Sequence, residues 1–175
     1  MTMRPLYTAF VLLLTGISAL IITTQAGAAT DAGPFRQGSV RMSIMIGSGT
    51  AFKQDYTILG VGLGYYVADG IEAGVDVESW QGNDPRITRL SPQVLYVHQM
   101  SGNAKPYAGV FYRRTSISQY KDLNDAGARA GLLFLYGRKA YVGLGLAYES
   151  HLNCDRTVYE SCADTYPELR LAIIF

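Results

Sequence analysis

Apolar side chains alternate with glycine or polar residues along most of the chain. In the last stretch, Leu169, Leu171, Ile173 and Phe175 occupy every second position. A two-residue period is that of a β-strand, whose successive side chains point to opposite faces. Turn residues separate eight such stretches, so we predict eight strands: Val40–Gly47, Leu59–Tyr66, Glu72–Glu78, Ser91–Val97, Tyr107–Arg113, Arg129–Tyr136, Val142–Glu149 and Glu168–Phe175.

The two faces of these strands differ in a way that favours a membrane barrel. One face is bulky and apolar, and the other mixes glycine with charged residues. A soluble barrel or sandwich would bury the apolar face and leave glycines in water. A membrane barrel turns the apolar face to lipid, and glycines such as Gly60, Gly62 and Gly143 make room in its narrow interior. We therefore predict a closed, antiparallel, up-and-down transmembrane β-barrel of eight strands, an all-β fold.

The predicted interior face carries five acidic and four basic side chains. A buried charge is tolerated when it is paired and hydrogen-bonded, so we expect ion pairs across the lumen. An alternative interpretation makes the same residues a path for protons or small ions. The predicted network consists of Arg41, Glu72, Asp76, Glu78, Arg113, Arg129, Glu149, Glu168 and Arg170.

The links between the strands alternate in predicted length. Those at 67–70, 100–105 and 137–140 are short, and those at 48–55, 79–88, 116–124 and 150–165 are longer and more polar. Outer-membrane barrels have short periplasmic turns and longer extracellular loops. An even strand number then places both termini on the periplasmic side. Aromatic residues near the strand ends predict two interfacial girdles: Tyr65, Tyr96, Tyr136 and Phe175 at one end, with Tyr112 and Tyr148 at the other.

The amino-terminal residues carry the marks of an export signal. Arg4 precedes the apolar stretch Leu6–Ile22, and a small-residue cleavage site follows at Ala26–Ala28. We predict a signal peptide over residues 1–28 and a barrel domain over residues 29–175; a membrane anchor is the alternative. In an oxidising compartment, Cys154 and Cys162 are expected to form a local disulfide.

Composition limits the remaining possibilities. The chain of 175 residues has 15 Lys and Arg against 14 Asp and Glu. This near-zero net charge provides no positive potential that would attract the phosphates of nucleic acid. That length suits one domain. The two Cys lack a CxxC spacing, and no Cys/His cluster has the arrangement of a zinc site. We therefore expect no nucleic-acid partner, no metal and no cofactor.

Three segments resemble a known family. The alternating last strand, which ends in Phe175, resembles the assembly signal of bacterial outer-membrane proteins. GVGLGYYVADGIEAGVDVE (60–78) and KPYAGVFYRR (105–114) are similar to hairpins of the small eight-stranded OmpA/OmpX-like barrels. The resemblance implies residence in the outer membrane of a Gram-negative bacterium, among its lipids and lipopolysaccharide. It also implies insertion by the outer-membrane assembly machinery after passage with periplasmic chaperones, and we expect a monomer. Pro92 departs from the pattern, because it removes a ladder donor inside the fourth strand.

Few residues of the chain could take part in catalysis. Enzymes on small outer-membrane barrels use a His beside a nucleophile or carboxylate, and this chain has only His98 and His151. Glu149 shares a strand face with His151, whereas Ser150 points the other way, and a lipid A deacylase pattern at 151–153 lacks its Ser. We favour a non-enzymatic protein of the envelope or surface. The alternatives are a lipid A-modifying hydrolase or acyltransferase using His151, and a narrow small-solute channel, which aromatic side chains in the lumen argue against.

Overall fold

A computed structural model describes residues 33–51, 54–82, 84–152 and 162–175. Every regular element in these ranges is a β-strand. No helix there is long and apolar enough to cross a membrane. The strands are β1 (Val40–Ala51), β2 (Gln54–Ala68), β3 (Ile71–Gln81), β4 (Ile87–Val97), β5 (Ala104–Ile117), β6 (Leu123–Tyr136), β7 (Ala140–His151) and β8 (Ala163–Ile174).

The eight strands form one closed antiparallel barrel. Each strand pairs with the next in sequence, and β8 returns to pair with β1. The start of β1 and the end of β8 therefore lie at the same end of the barrel, together with the β2–β3, β4–β5 and β6–β7 links. We call this the inner end and the opposite one the outer end. The predicted closed up-and-down barrel is confirmed.

The orientation of the side chains agrees with the predicted faces. On β6, Leu132 is 42% exposed and its neighbour Leu133 is 4% exposed. Leu63, Leu144 and Leu169 are likewise exposed on their strands. The exposed apolar side chains form a belt around the barrel, with the six predicted girdle aromatics among them. A continuous outward apolar belt around a polar interior is the arrangement of a membrane-spanning barrel.

The strands are longer, and the outer links shorter, than the apolar pattern predicts. The observed strands contain 11 to 15 residues. The β1–β2 ladder continues past the belt from Ser48 opposite Thr57 to Ala51 opposite Gln54. Backbone pairing does not require apolar side chains, so strands extend beyond the hydrocarbon while the alternation signal ends there. The predicted long links at 48–55, 79–88 and 116–124 were therefore too long.

Pro92 remains inside β4 despite its missing N–H group. It lies opposite Val75 of β3. On the β5 side, the ladder lacks rungs between the pairs Leu90–Arg114 and Gln93–Phe111, and it continues on both sides of this gap. The loss of one donor is thus confined to a local interruption between β4 and β5.

A short segment before β1 closes the inner end of the lumen. Phe35 is almost fully buried, with its ring centroid 5.8 Å from those of Tyr66 and Tyr141. Its carbonyl accepts hydrogen bonds from the Gly70 amide at 2.8 Å and the Gln99 side chain at 3.3 Å. This plug is absent from the sequence prediction, because a single Phe between turn residues has no periodicity.

The interior is layered along the barrel axis. Apolar and aromatic residues fill the inner end, and charged residues lie next to them on the side of the outer end. A second apolar group of Tyr56, Trp80, Ile87 and Ile117 lies near the outer end. The inner group consists of Phe35, Tyr66, Leu95, Val97, Tyr107, Leu133, Tyr141, Ala172 and Ile174.

Candidate functional site

The charged layer between the two apolar groups is the candidate site. The structure places the nine predicted lumen charges inside the barrel, on β1, β3, β5, β6, β7 and β8. Each of them takes part in at least one ion pair. They divide into two groups, which we call the Asp76 cluster (Arg41, Glu72, Asp76, Arg129, Glu168, Arg170) and the Arg113 cluster (Arg113, Glu78, Glu149).

Three arginines converge on Asp76. Its carboxylate lies 3.3 Å from Arg41, 3.5 Å from Arg129 and 3.1 Å from Arg170. Arg41 also pairs with Glu72 at 2.8 Å. With Arg129 and Glu168 at 3.4 Å, the cluster contains three positive and three negative groups. It is electrically balanced, which is the condition for burying so many charges.

Polar side chains and glycines complete this cluster. The Gln93 side-chain amide donates to Asp76 at 3.0 Å, and Arg41 donates to the Ser43 hydroxyl. A Cβ at Gly62 would collide with the Asp76 carboxylate, and one at Gly64 would collide with Glu72. The alternating glycines of β2 therefore supply the space that the ion pairs occupy.

The Arg113 cluster lies closer to the outer end. Arg113 contacts Glu149 at 2.6 Å and Glu78 at 3.3 Å, and it donates to the Tyr166 hydroxyl at 2.5 Å. Its Nε donates to Ser91 Oγ at 2.9 Å. One arginine therefore serves two carboxylates, and the cluster carries a surplus negative charge. Sequence reasoning missed Tyr166, because it lies outside the predicted last strand.

One aromatic ring contacts both clusters. The guanidinium carbons of Arg129 and Arg113 lie 4.4 Å and 4.9 Å from the centroid of the Phe111 ring. Both distances suit cation–π contacts, which are strongest where water is excluded. Phe111 thus packs against one arginine of each cluster.

His151 lies beyond the apolar belt at the outer end of β7. Its Nδ1 is 2.5 Å from Asp125 of β6, and its Nε2 is 3.3 Å from Asp164 of β8. Burial disfavours the charged imidazole, but the hydrogen bond and charge of Asp125 outweigh it and raise the pKa of His151. Glu149, which shares a strand face with His151, is not the carboxylate hydrogen-bonded to its ring; cross-strand neighbours on β6 and β8 take that place.

The described residues around His151 do not assemble a nucleophile. Both imidazole nitrogens face carboxylates, and Ser150 belongs to the opposite face of β7. His98 lies at the inner end, 3.3 Å from the Tyr96 hydroxyl. Within the described ranges, no group of three His, Cys, Asp or Glu side chains could hold a metal ion.

The other predicted site residues lie away from the lumen charges. Leu169, Leu171, Ile173 and Phe175 are exposed on the lipid-facing side of the last strand. Cys162 directly precedes β8, whereas Cys154 and the signal peptide lie outside the described residues. The Cys154–Cys162 disulfide therefore stays a prediction, as does the role of the last strand in assembly.

Solved structures share this architecture. The β-barrel domain of Pseudomonas aeruginosa OprF superimposes with a TM-score of 0.63 at 16% identity, over 79% of this chain and 98% of that one. The fold is that of the small outer-membrane barrels. Neisserial surface protein A gives a TM-score of 0.53 at 12% identity, covering 78% and 94%. OprG from Pseudomonas aeruginosa gives 0.50 at 11%, covering 80% and 97%. No protein-family model and no curated protein matches the sequence.

Proposed function

We propose that the chain is a non-enzymatic protein of the outer membrane of a Gram-negative bacterium. It would maintain the envelope, or contact other molecules through its outer loops. The observation that carries this proposal is the lumen: its charges are engaged with one another, and apolar groups fill the space on either side of them. A barrel whose interior is used for its own stability offers function mainly at its outer surface.

Two features argue against the channel alternative. Phe35 and its aromatic neighbours fill the inner end, and Tyr56 and Trp80 fill part of the outer end. Between them, Asp76 and its three arginines lie buried in the lumen. An eight-stranded barrel has little interior left once such side chains are present. Planar-bilayer recording of the purified barrel should show no discrete conductance, and a reproducible conductance would favour the channel.

The enzyme alternative depends on His151. Its two nitrogens contact Asp125 and Asp164, and general-base catalysis would require one of them to face a hydroxyl or a water. Lipid A profiles by mass spectrometry should be unchanged by expression of the wild type or of His151→Ala. The matched control is His98→Ala, at the opposite end. A modification that appears with wild type and His98→Ala but not with His151→Ala would establish the enzyme.

The envelope role has its own test. A strain that lacks the protein should admit more of a large hydrophobic antibiotic or dye than the wild type. Complementation by the intact chain should restore the barrier, and so should His151→Ala. Normal permeability, together with normal surface adhesion, in the deletion strain would contradict the proposal.

The last strand is proposed as the signal for the assembly machinery. Leu169, Leu171, Ile173 and Phe175 form its exposed apolar face, as the family resemblance requires. Phe175→Ser should lower the amount of folded barrel in the outer membrane. Tyr136→Ser, which removes another exposed inner-end aromatic, is the control. Equal insertion of both variants would contradict the role of Phe175.

A further inference from the structure

The seam between β1 and β8 is paired over only part of its length. Rungs join Arg41–Ile44 of β1 to Leu171–Ile174 of β8, and Val40 and Phe175 exchange two backbone hydrogen bonds. Towards the outer end, no rung joins the described residues 45–48 to residues 167–170. Every other neighbouring pair of strands has rungs over a much longer stretch. We call this interruption the seam gap.

Pro167 removes one backbone donor from the seam gap. The mutual hydrogen bonds of Val40 and Phe175 show that odd-numbered residues of β8 direct their backbone groups towards β1. Continuing the observed register would place Pro167 opposite Ser48. Proline has no N–H group to donate there. On its other side, Pro167 still lies opposite Leu146 of β7, so the defect belongs to the β1 seam.

Pro92 is the internal comparison. It also removes a donor from a seam, between β4 and β5, but rungs resume beyond it on both sides. At Pro167 the interruption continues through residues 168–170. A missing donor alone therefore accounts for a local break and not for the full gap.

The seam gap lies at the outer edge of the apolar belt. Ile46 and Leu169, which lie within it, are exposed and apolar, whereas Ser48 at its outer limit and Thr165 beyond it are polar and exposed. Backbone N–H and C=O groups at this level need a partner, because each unsatisfied group in hydrocarbon costs several kcal/mol. In the outer membrane, the molecules at this height are the head regions of outer-leaflet lipids.

The chemistry of the gap selects among these lipids. Its strand edges present both donors and acceptors. Behind it, Glu168 pairs with Arg129 through one oxygen, while the other is buried without a hydrogen-bond partner among the described atoms. The nearby Arg113 cluster carries a surplus negative charge. A phosphate offers only acceptors and negative charge, whereas hydroxyl and amide groups can both donate and accept.

We propose that the seam gap is a docking site for the sugar hydroxyl and acyl-amide region of lipopolysaccharide. Lipid A carries such groups where its head region meets its acyl chains, which is the level of Ile46 and Leu169. They would bond the open backbone edges. The site deepens the proposed envelope role, because it would fix the barrel to the outer-leaflet lipid.

Amide hydrogen exchange, resolved by residue, tests the site. The barrel would be placed in phospholipid nanodiscs with and without purified lipopolysaccharide. Without it, the amides of Ile46 and Leu169 should exchange faster than those of Ile44 and Leu171. With lipopolysaccharide at about ten times its dissociation constant, exchange at Ile46 and Leu169 should slow about tenfold.

Proline variants provide the matched pair. Pro167→Val restores a donor to the gap and should reduce the effect of lipopolysaccharide on Ile46. Pro92→Val restores a donor to the β4–β5 seam and should leave that effect intact. If Pro167→Val does not fold, the wild-type comparison decides alone.

Three results would overturn the docking site: no change with lipopolysaccharide, an equal change with phosphatidylglycerol, or Ile46 already as protected as Ile44 without either lipid. The permeability of the deletion strain is a separate readout. A normal barrier together with slowed exchange would reject the envelope role and keep the docking site.

Discussion

The two ion-pair clusters solve the problem of buried charge differently. In the Asp76 cluster, three arginines face three carboxylates, and Arg41, Glu72 and Asp76 have essentially no exposure. In the Arg113 cluster, one arginine faces two carboxylates, and the Glu78 side chain is 11% exposed. In the Asp76 cluster Glu168 is also 14% exposed, so the two clusters differ in charge balance and not in their contact with water.

The difference in charge balance predicts how much stability is lost when one charge is removed from each cluster. Removing one member of a buried, balanced set leaves an uncompensated charge. In the Arg113 cluster, Arg113 can lose one carboxylate and remain paired with the other. We therefore expect the largest loss of stability when Asp76 is changed and the smallest when the surplus carboxylate of the Arg113 cluster is removed.

Asp76→Asn should have the largest effect. The variant leaves Arg41, Arg129 and Arg170 without their shared carboxylate, and breaking a buried pair costs about 3–5 kcal/mol. Urea unfolding of the barrel in phospholipid vesicles measures this free energy. Asp122→Asn, which breaks the exposed pair with Arg114, is the control and should cost about 0–1 kcal/mol. Similar losses in the two variants would contradict the role given to Asp76.

Arg113→Leu should cost about 3 kcal/mol at neutral pH, at the lower end of the range for a broken buried pair. It leaves Glu78 and Glu149 without their cation. Urea unfolding in the same vesicles measures this loss, which should be smaller than that of Asp76→Asn because Asp76 is shared by three arginines. A loss in Arg113→Leu larger than that in Asp76→Asn would contradict the distinction between the clusters.

Glu78→Gln should have the smallest effect, within about 1 kcal/mol, the usual size of one net hydrogen bond. The substitution removes the surplus charge and leaves Arg113 paired with Glu149 and Tyr166. Glu72→Gln is the matched change in the balanced cluster and should cost more. A larger loss for Glu78→Gln would show that surplus charge is not the relevant difference.

The sequence predicted the part of the fold that periodicity controls. Alternation distinguished Leu132 from Leu133 and Arg129 from Ala130, because a two-residue period assigns each side chain to a face. The closed eight-stranded barrel follows from that assignment and from the even number of strands. The same alternation predicted the inward orientation of charges such as Asp76.

Other features depend on contacts between distant residues. Which arginines share Asp76 is determined by strand register, and alternation does not specify register. Phe35 reaches the lumen through turns that carry no period. The seam gap was also missed, since Pro167 lies just before the last predicted strand and its partner edge is more than one hundred residues away in sequence.

The face assignment underlies all of these arguments, and adjacent residues on β6 test it directly. Nuclear Overhauser contacts to lipid acyl chains, measured in bilayer nanodiscs, should be strong for the methyl groups of Leu132 and absent for those of Leu133. Leu133 should instead show contacts to aromatic protons of the inner apolar group. Acyl-chain contacts at Leu133, with none at Leu132, would contradict the account.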